Sequence, residues 1–178
     1  MRPMCRRQFV ATLAAAVPLV ANSRPLLAAA GATRSLDFLH THTGEKLNLA
    51  FAQGDAYLPG ALDAVNHILR DFRTGEVHEI DRRLLDLLHG VATLTGTGKP
   101  FQVISAYRSP NTNAMLRRAG DGVAGRSLHM QGQAIDIRLG DVPLEKLRAA
   151  ALEVGRGGVG YYPASNFVHV DTGRVRRW

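Results

Sequence analysis

The apolar positions of this chain follow two rhythms, and the change between them organises the sequence. From residue 58 to residue 95 they recur every three or four positions. In LPGALDAVNHILRDF, Leu58, Leu62, Val65, Leu69 and Phe72 share one helical face, and Arg73-Thr74-Gly75 follows as a stop. DRRLLDLLHGVATL repeats the pattern with Leu84, Leu87, Leu88, Val91 and Leu94, before the breakers Thr95-Gly96-Thr97-Gly98-Lys99-Pro100 turn the chain. Beyond that turn the period shortens. FQVISAY (101–107) reads as a buried strand, GQAIDIRL (132–139) alternates, and GVGYYP and FVHVDT supply two last strands. Helices interrupt this half twice. Ser109-Pro110 opens one that Gly120 closes, and residues 143 to 154 form another that Gly155 ends. Residues 35 to 51 carry short strand-like runs around Thr43-Gly44, and GDGVAGR (120–126) is a loop. Helices early and strands late predict an α+β fold, a single domain in which helices flank a small antiparallel sheet.

The first thirty residues stand apart. MRPMCRRQFVATLAAAVPLVANSRPLLAAA sets a basic start before a modest apolar run and small residues. That is the layout of a cleaved export signal, and Arg6-Arg7 resembles the twin-arginine type. Pro18 and Asn22-Ser23-Arg24 interrupt the run well short of the roughly 20 residues a membrane span needs. The expected division is a signal over 1–30 and a domain over 31–178, exported to the periplasm with no stable membrane span after cleavage. Composition then reads differently. The formal charge of +7 looks like a nucleic-acid signature, but four arginines belong to the signal and leave the domain at +3. No basic block remains to hold a nucleic acid. Cys5, the single cysteine, is lost with the signal, so the domain relies on its core without disulfides.

The candidate chemistry lies in SLHMQGQAIDIRL (127–139) and FVHVDT (167–172). Alternate residues of a strand share a face. Ile135 and Ile137 then point to the core while Ala134, Asp136 and Arg138 face away. Val168 and Val170 do the same in the second strand, setting Phe167, His169 and Asp171 on the opposite face. If the two strands are neighbours, Asp136 and His169 approach each other, and His129 in the entering loop completes a cluster of three. Two imidazoles and one carboxylate with an open fourth position is a hydrolytic zinc arrangement. Gly132 would let the chain turn sharply between ligands, and Ala134 would leave room beside Asp136 for metal and substrate. The same small residues suit ordinary turn and strand packing, and the pattern alone leaves both readings open. His40 and His42 form an H-x-H pair with nothing nearby to complete a site. His67, His78 and His89 fall in or beside helices, where surface or packing roles are expected.

SLHMQGQAID fits S-x-H-x-x-G-x-A-x-D, and with SAYRSPNTN (105–113) and FVHVDTG it resembles the D-Ala-D-Ala carboxypeptidase-like zinc metallopeptidases. The C-terminal GVGYYPASNFVHVDTGRVRRW looks most like their murein endopeptidase K branch. The resemblance covers roughly residues 35 to 178 with the motifs in order. It implies a Hedgehog/D-Ala-D-Ala peptidase-like fold and Zn2+ held by His129, Asp136 and His169. It assigns Arg108 to polarising the scissile carbonyl or steadying the oxyanion, and Ser127 to a substrate carboxylate, with Tyr107 a structural neighbour. The implied function is cleavage of peptide cross-links between peptidoglycan stem peptides in cell-wall remodelling. A carboxypeptidase trimming terminal D-alanine, or a zinc-containing peptidoglycan-binding module without activity, are the alternatives. Relatives place a glutamate or histidine two or three residues before the last ligand, where this chain has Phe167 and Asn166. Asp171, roughly 6 to 7 Å along the strand from His169, is the nearest candidate base, and a partner that orients the histidine is its other reading. The sequence assigns no oligomeric state.

Overall fold

The computed structural model describes residues 31–120 and 124–178. The expected export signal lies outside them, as does the centre of the 120–126 loop. Eight strands run in chain order: β1 (Thr33–His40), β2 (Lys46–Gln53), β3 (Ala56–Tyr57), β4 (Phe101–Ser105), β5 (Ala134–Arg138), β6 (Gly158–Tyr162), β7 (Phe167–Asp171) and β8 (Arg176–Arg177). Among the described residues four α-helices accompany them: α1 (Pro59–Ile68), α2 (Arg82–Thr95), α3 (Pro110–Ala119) and α4 (Leu144–Val154).

The α+β class holds, but the sheet is neither small nor purely antiparallel. All eight strands join one sheet in the order β3-β2-β1-β4-β5-β7-β6-β8. β1 lies parallel to β4, and β8 parallel to β6, while the other pairs are antiparallel. The physical reason is the N-terminal hairpin. Its turn satisfies only one edge of β1, so the other edge pairs with β4, and the crossover through α1 and α2 makes that pairing parallel.

The helices begin and end where local chemistry dictates. The Asp81 side chain accepts the Arg83 N–H and opens α2, and left-handed Gly96 closes it. The Ser109 hydroxyl caps α3 by accepting from Thr112 N–H, with Pro110 in the first turn. α1 stops four residues short of the apolar pattern that predicts it. The Leu69 carbonyl accepts the Tyr107 N–H at 3.0 Å. Asp71 accepts the Ser109 N–H at 2.9 Å and its hydroxyl at 2.7 Å. Tertiary bonds thus capture residues that helical propensity alone would have continued.

The core explains why the site face is rigid. Ile135, Ile137, Val168 and Val170 are fully buried in one cluster with Leu84, Leu88 and Leu147 of α2 and α4. Truncating one such side chain to alanine costs about 2–5 kcal/mol. Because β-strand side chains alternate, fixing these residues against the helices fixes Asp136 and His169 on the other face.

Candidate metal centre

Asp136 on β5 and His169 on β7 are direct partners in the antiparallel ladder. The row extends across the sheet, with Ser105 opposite Asp136 on one side and Gly160 opposite His169 on the other. Gly160 is required by what covers it, since a Cβ there would lie 2.7 Å from the ring of Trp178. That indole in turn stands 5.3 Å from the His169 ring.

His129 comes from a short 3₁₀ turn, Leu128–Gln131, between Ser127 and Gly132. Gly132 sits at φ +64°, and a Cβ at this position would overlap the Glu79 carbonyl oxygen. Only glycine both reverses the chain there and fits against that backbone. Ala134 corrects the expectation attached to it. It is fully buried, pairs with Asp171 in the ladder and does not line the open groove, so its small size serves packing rather than room for substrate.

The three side chains bring His129 Nε2, His169 Nδ1 and Asp136 Oδ1 together. The separations are 3.2 Å between the imidazoles, 2.8 Å from His169 to Asp136 and 3.3 Å from His129 to Asp136. A tetrahedral ion with bonds of about 2.0–2.1 Å spaces its ligands by about 3.3 Å. Each ring also has an acceptor behind its outer nitrogen. His129 Nδ1 lies 2.7 Å from the Ala106 carbonyl, which can only accept, so that nitrogen carries the hydrogen and Nε2 is a bare lone pair. His169 lies between two carboxylates, Nε2 3.0 Å from Asp171 Oδ2 and Nδ1 2.8 Å from Asp136 Oδ1, and a neutral ring whose hydrogen faces Asp171 leaves the Nδ1 lone pair for a metal. With both rings neutral and their hydrogens on the outer nitrogens, two imidazole lone pairs and a carboxylate oxygen converge. That arrangement fits a bound cation. Among the described residues this is the cluster of histidine and carboxylate groups able to hold a metal ion.

Without an ion, a proton on His169 is the competing occupant. Burial alone would lower the His169 pKa, but Asp136 and Asp171 raise it above its ordinary value. Burial pushes His129 down. Burial would raise Asp136, yet His129 and His169 hold it well below the usual carboxylate range.

The remaining expected residues take definite places. Arg108 Nη2 donates to Asp136 Oδ2 at 2.6 Å and its Nε to Ser105 Oγ at 2.8 Å, so the guanidinium is braced beside the cluster. Ser127 lines the groove, with its hydroxyl oxygen 3.4 Å from the His129 N–H. Asp171, the nearest candidate base, stands behind His169 with no exposed surface. Its oxygens accept from Gly158 and Gly173 N–H groups and from two nitrogens of Arg176. Burial would raise its pKa, but His169, Arg176 and these N–H groups hold it well below the usual range. This carboxylate is engaged on both oxygens and is buried behind His169, away from the groove lining. Tyr107 is buried, stacks on His78 and donates its hydroxyl hydrogen to Glu76.

His40 and His42 stand apart from the cluster. His40 Nδ1 accepts the His42 and Thr43 N–H groups that form the turn after β1, and His42 stacks on Phe72 at 4.1 Å. His67 lies beside Glu45, and His89 Nδ1 is 3.3 Å from the Ser35 carbonyl.

The cluster opens into a groove of about 590 Å³. One wall is aromatic, with Tyr162 and Phe167 stacked at 4.6 Å and Trp178 bonded through Nε1 to the Tyr162 hydroxyl. Sequence reasoning missed the Ala106 carbonyl, Arg176, and the groove residues Arg73 and Arg126. The spacing of Asp171 and Arg176 across a Gly-containing turn is a local signal for that pair. Nothing local announces the others.

Compared with known proteins, residues 28–178 match the family described as Peptidoglycan L,D-endopeptidase MepK. The peptidoglycan L,D-endopeptidase MepK of Escherichia coli (strain K12) is 46% identical over 145 residues, which span 82% of this chain and 80% of that protein. The probable peptidoglycan L,D-endopeptidase MepK of Haemophilus influenzae is 40% identical over 167 residues, spanning 93% and 90%.

Proposed function

The chain belongs to the peptidoglycan L,D-endopeptidase MepK family and is a murein endopeptidase, and we propose that it cleaves peptide cross-links by zinc-dependent hydrolysis, with the metal on His129, Asp136 and His169. The observation that carries the metal assignment is the convergence of two imidazole lone pairs and one carboxylate oxygen at the floor of an open groove. A nitrogen and oxygen donor set without sulfur, holding three positions and leaving a fourth, suits hydrolytic zinc. Bound there, zinc supplies an acidified water near neutral pH and a Lewis acid for the scissile carbonyl.

The protein's own groups supply the rest. Asp171 holds the His169 tautomer, and the Ala106 carbonyl holds that of His129, so neither ligand must reorganise. Arg108, already braced by Ser105 and Asp136, presents a fixed cation to the carbonyl oxygen as it gains charge. Ser127 offers its hydroxyl to a stem-peptide carboxylate. The aromatic wall of Tyr162, Phe167 and Trp178 shields one side of the groove from water. The expected setting is the periplasm, reached by a twin-arginine signal over residues 1–30. In the described residues no helix is long and apolar enough to cross a membrane.

The test is direct. Purified protein should carry about one zinc per chain and convert cross-linked muropeptide dimers to monomers, and His129→Ala should do neither. Product masses separate cross-link cleavage from loss of a terminal D-alanine. Stoichiometric zinc with intact dimers would favour the binding-module reading, which Asn166, Phe167 and the committed Asp171 support by offering no evident base.

A further inference from the structure

The groove is markedly basic. Arg73, Arg108, Arg126 and Arg176 line it, and Asp136 is the one acidic residue among its described lining. Two of these guanidiniums are occupied, Arg108 by Asp136 and Arg176 by Asp171. Arg73 and Arg126 have no carboxylate partner among the described residues. A cleft with unneutralised cations on low-dielectric walls attracts and holds anions.

Arg73 is the better built of the two. Its guanidinium carbon lies 4.2 Å from the centroid of Phe72, and that ring is itself stacked on His42 at 4.1 Å, nearly parallel. An aromatic platform restrains the side chain without neutralising it. Its backbone is fixed as well. The Arg73 N–H donates to Asp71 Oδ1 at 2.9 Å, and Asp71 Oδ2 takes both the N–H and the hydroxyl of Ser109. Arg73 is therefore tied, through one buried carboxylate, to the residue next to Arg108. Arg73 is exposed in the groove lining with its backbone fixed and its guanidinium over Phe72, and with no carboxylate partner among the described residues it is available to a ligand anion.

We propose that Arg73 is a specificity residue that reads a free carboxylate of the stem peptide, at the end of the groove marked by the His42–Phe72 stack. The inference rests on the peptidoglycan reading of the groove. The recognised group is a carboxylate on a residue near the scissile amide, and the corresponding carboxamide is rejected because it cannot accept two charge-assisted bonds from one guanidinium.

Equilibrium binding tests it without turnover. Zinc-loaded full-length protein is titrated calorimetrically with un-cross-linked stem peptides, in free-acid form and with the carboxylates converted to carboxamides. Arg73→Gln should weaken binding of the free acid by about tenfold or more and leave the amidated peptide unchanged, while Arg73→Lys should recover part of the loss. Thermal melts identify any variant that fails to fold, and Arg73→Lys then carries the comparison. Equal losses on both peptides, or no loss on either, would overturn the proposal. Dimer cleavage is read separately. Dimers cleaved without carboxylate discrimination sink the role of Arg73 and leave the endopeptidase standing. Discrimination without cleavage sustains Arg73 and removes the hydrolytic reading.

Discussion

Two pairs of histidines make the same residue do opposite things. His40 and His42 are two apart in sequence, as metal-binding pairs often are, yet His40 spends its Nδ1 on the backbone of its own turn and His42 lies flat on Phe72. His129 and His169 are forty apart, and the sheet brings their inner nitrogens to 3.2 Å. The difference is in the outer nitrogens. Ala106 and Asp171 offer acceptors on the far sides of His129 and His169, which leaves the inner lone pairs of the neutral rings available beside Asp136. For His40 the backbone consumes the lone pair, and Nε2 is buried without a partner among the described residues. Ligation is decided by what lies behind the ring more than by how close two histidines stand in the chain.

The sharpest way to break this comparison is to exchange the fates of the pairs. His129→Ala should reduce zinc from about one per chain to near none and abolish dimer cleavage, since three protein ligands are the minimum of a hydrolytic site. His40→Ala should retain both, and lose only about 1–2 kcal/mol of stability through the uncapped turn, read from urea midpoints. Zinc lost with His40 as readily as with His129 would erase the distinction.

Asp171→Asn probes the outer shell itself. An amide can present its NH₂ to His169 Nε2 and reverse the tautomer, so zinc affinity should fall by about 10–100-fold in a chelator competition. Were Asp171 the general base, zinc affinity would stay intact and only kcat would collapse.

The third effect concerns acid stability at the other end of the groove. Burial would raise the Asp71 pKa, but bonds from Thr112, Ser109 and Arg73 lower it to about 2. The native state therefore holds the ionised form more tightly than the unfolded chain does. That stability is present above the ordinary carboxylate pKa and is lost as pH falls through about 2. Asp71→Asn should be less stable at neutral pH by about 1–3 kcal/mol and flatter between about pH 4 and pH 2. Equal acid slopes in the two proteins would remove Asp71 as the clamp on Arg73.

The smallest effect expected is on zinc affinity as a function of pH. Because Asp136 and Asp171 raise the His169 pKa, protons compete with the metal, and affinity should weaken as the solution is acidified. Calorimetric titration at several pH values reads it.

How much of this the sequence disclosed follows from the range of each interaction. α2, α3 and α4 were legible because their caps and stops, Asp81, Ser109-Pro110 and Gly155, are local. α1 is shorter than its apolar pattern because its last turn is undone by Tyr107 and Ser109, which lie more than thirty residues on. Alternation placed Asp136 and His169 on one face, and the register that makes them direct partners came from the sheet. The parallel β1–β4 pairing left no mark in composition, and β3 and β8 are two residues each, too short to show a period. Arg73 was hidden for the same reason. In the sequence it closes a helix, and only the fold turns it into the groove.

The proposed zinc on His129, Asp136 and His169 is what makes cross-link cleavage metal-dependent. The measurement is zinc content and dimer cleavage on one preparation, before and after chelation and again after zinc is returned. About one zinc per chain is expected, with cleavage lost when the metal is removed and restored when it is returned. Cleavage that persists after the metal is removed, or fully loaded protein that leaves cross-linked dimers intact beside an active hydrolase, would contradict it.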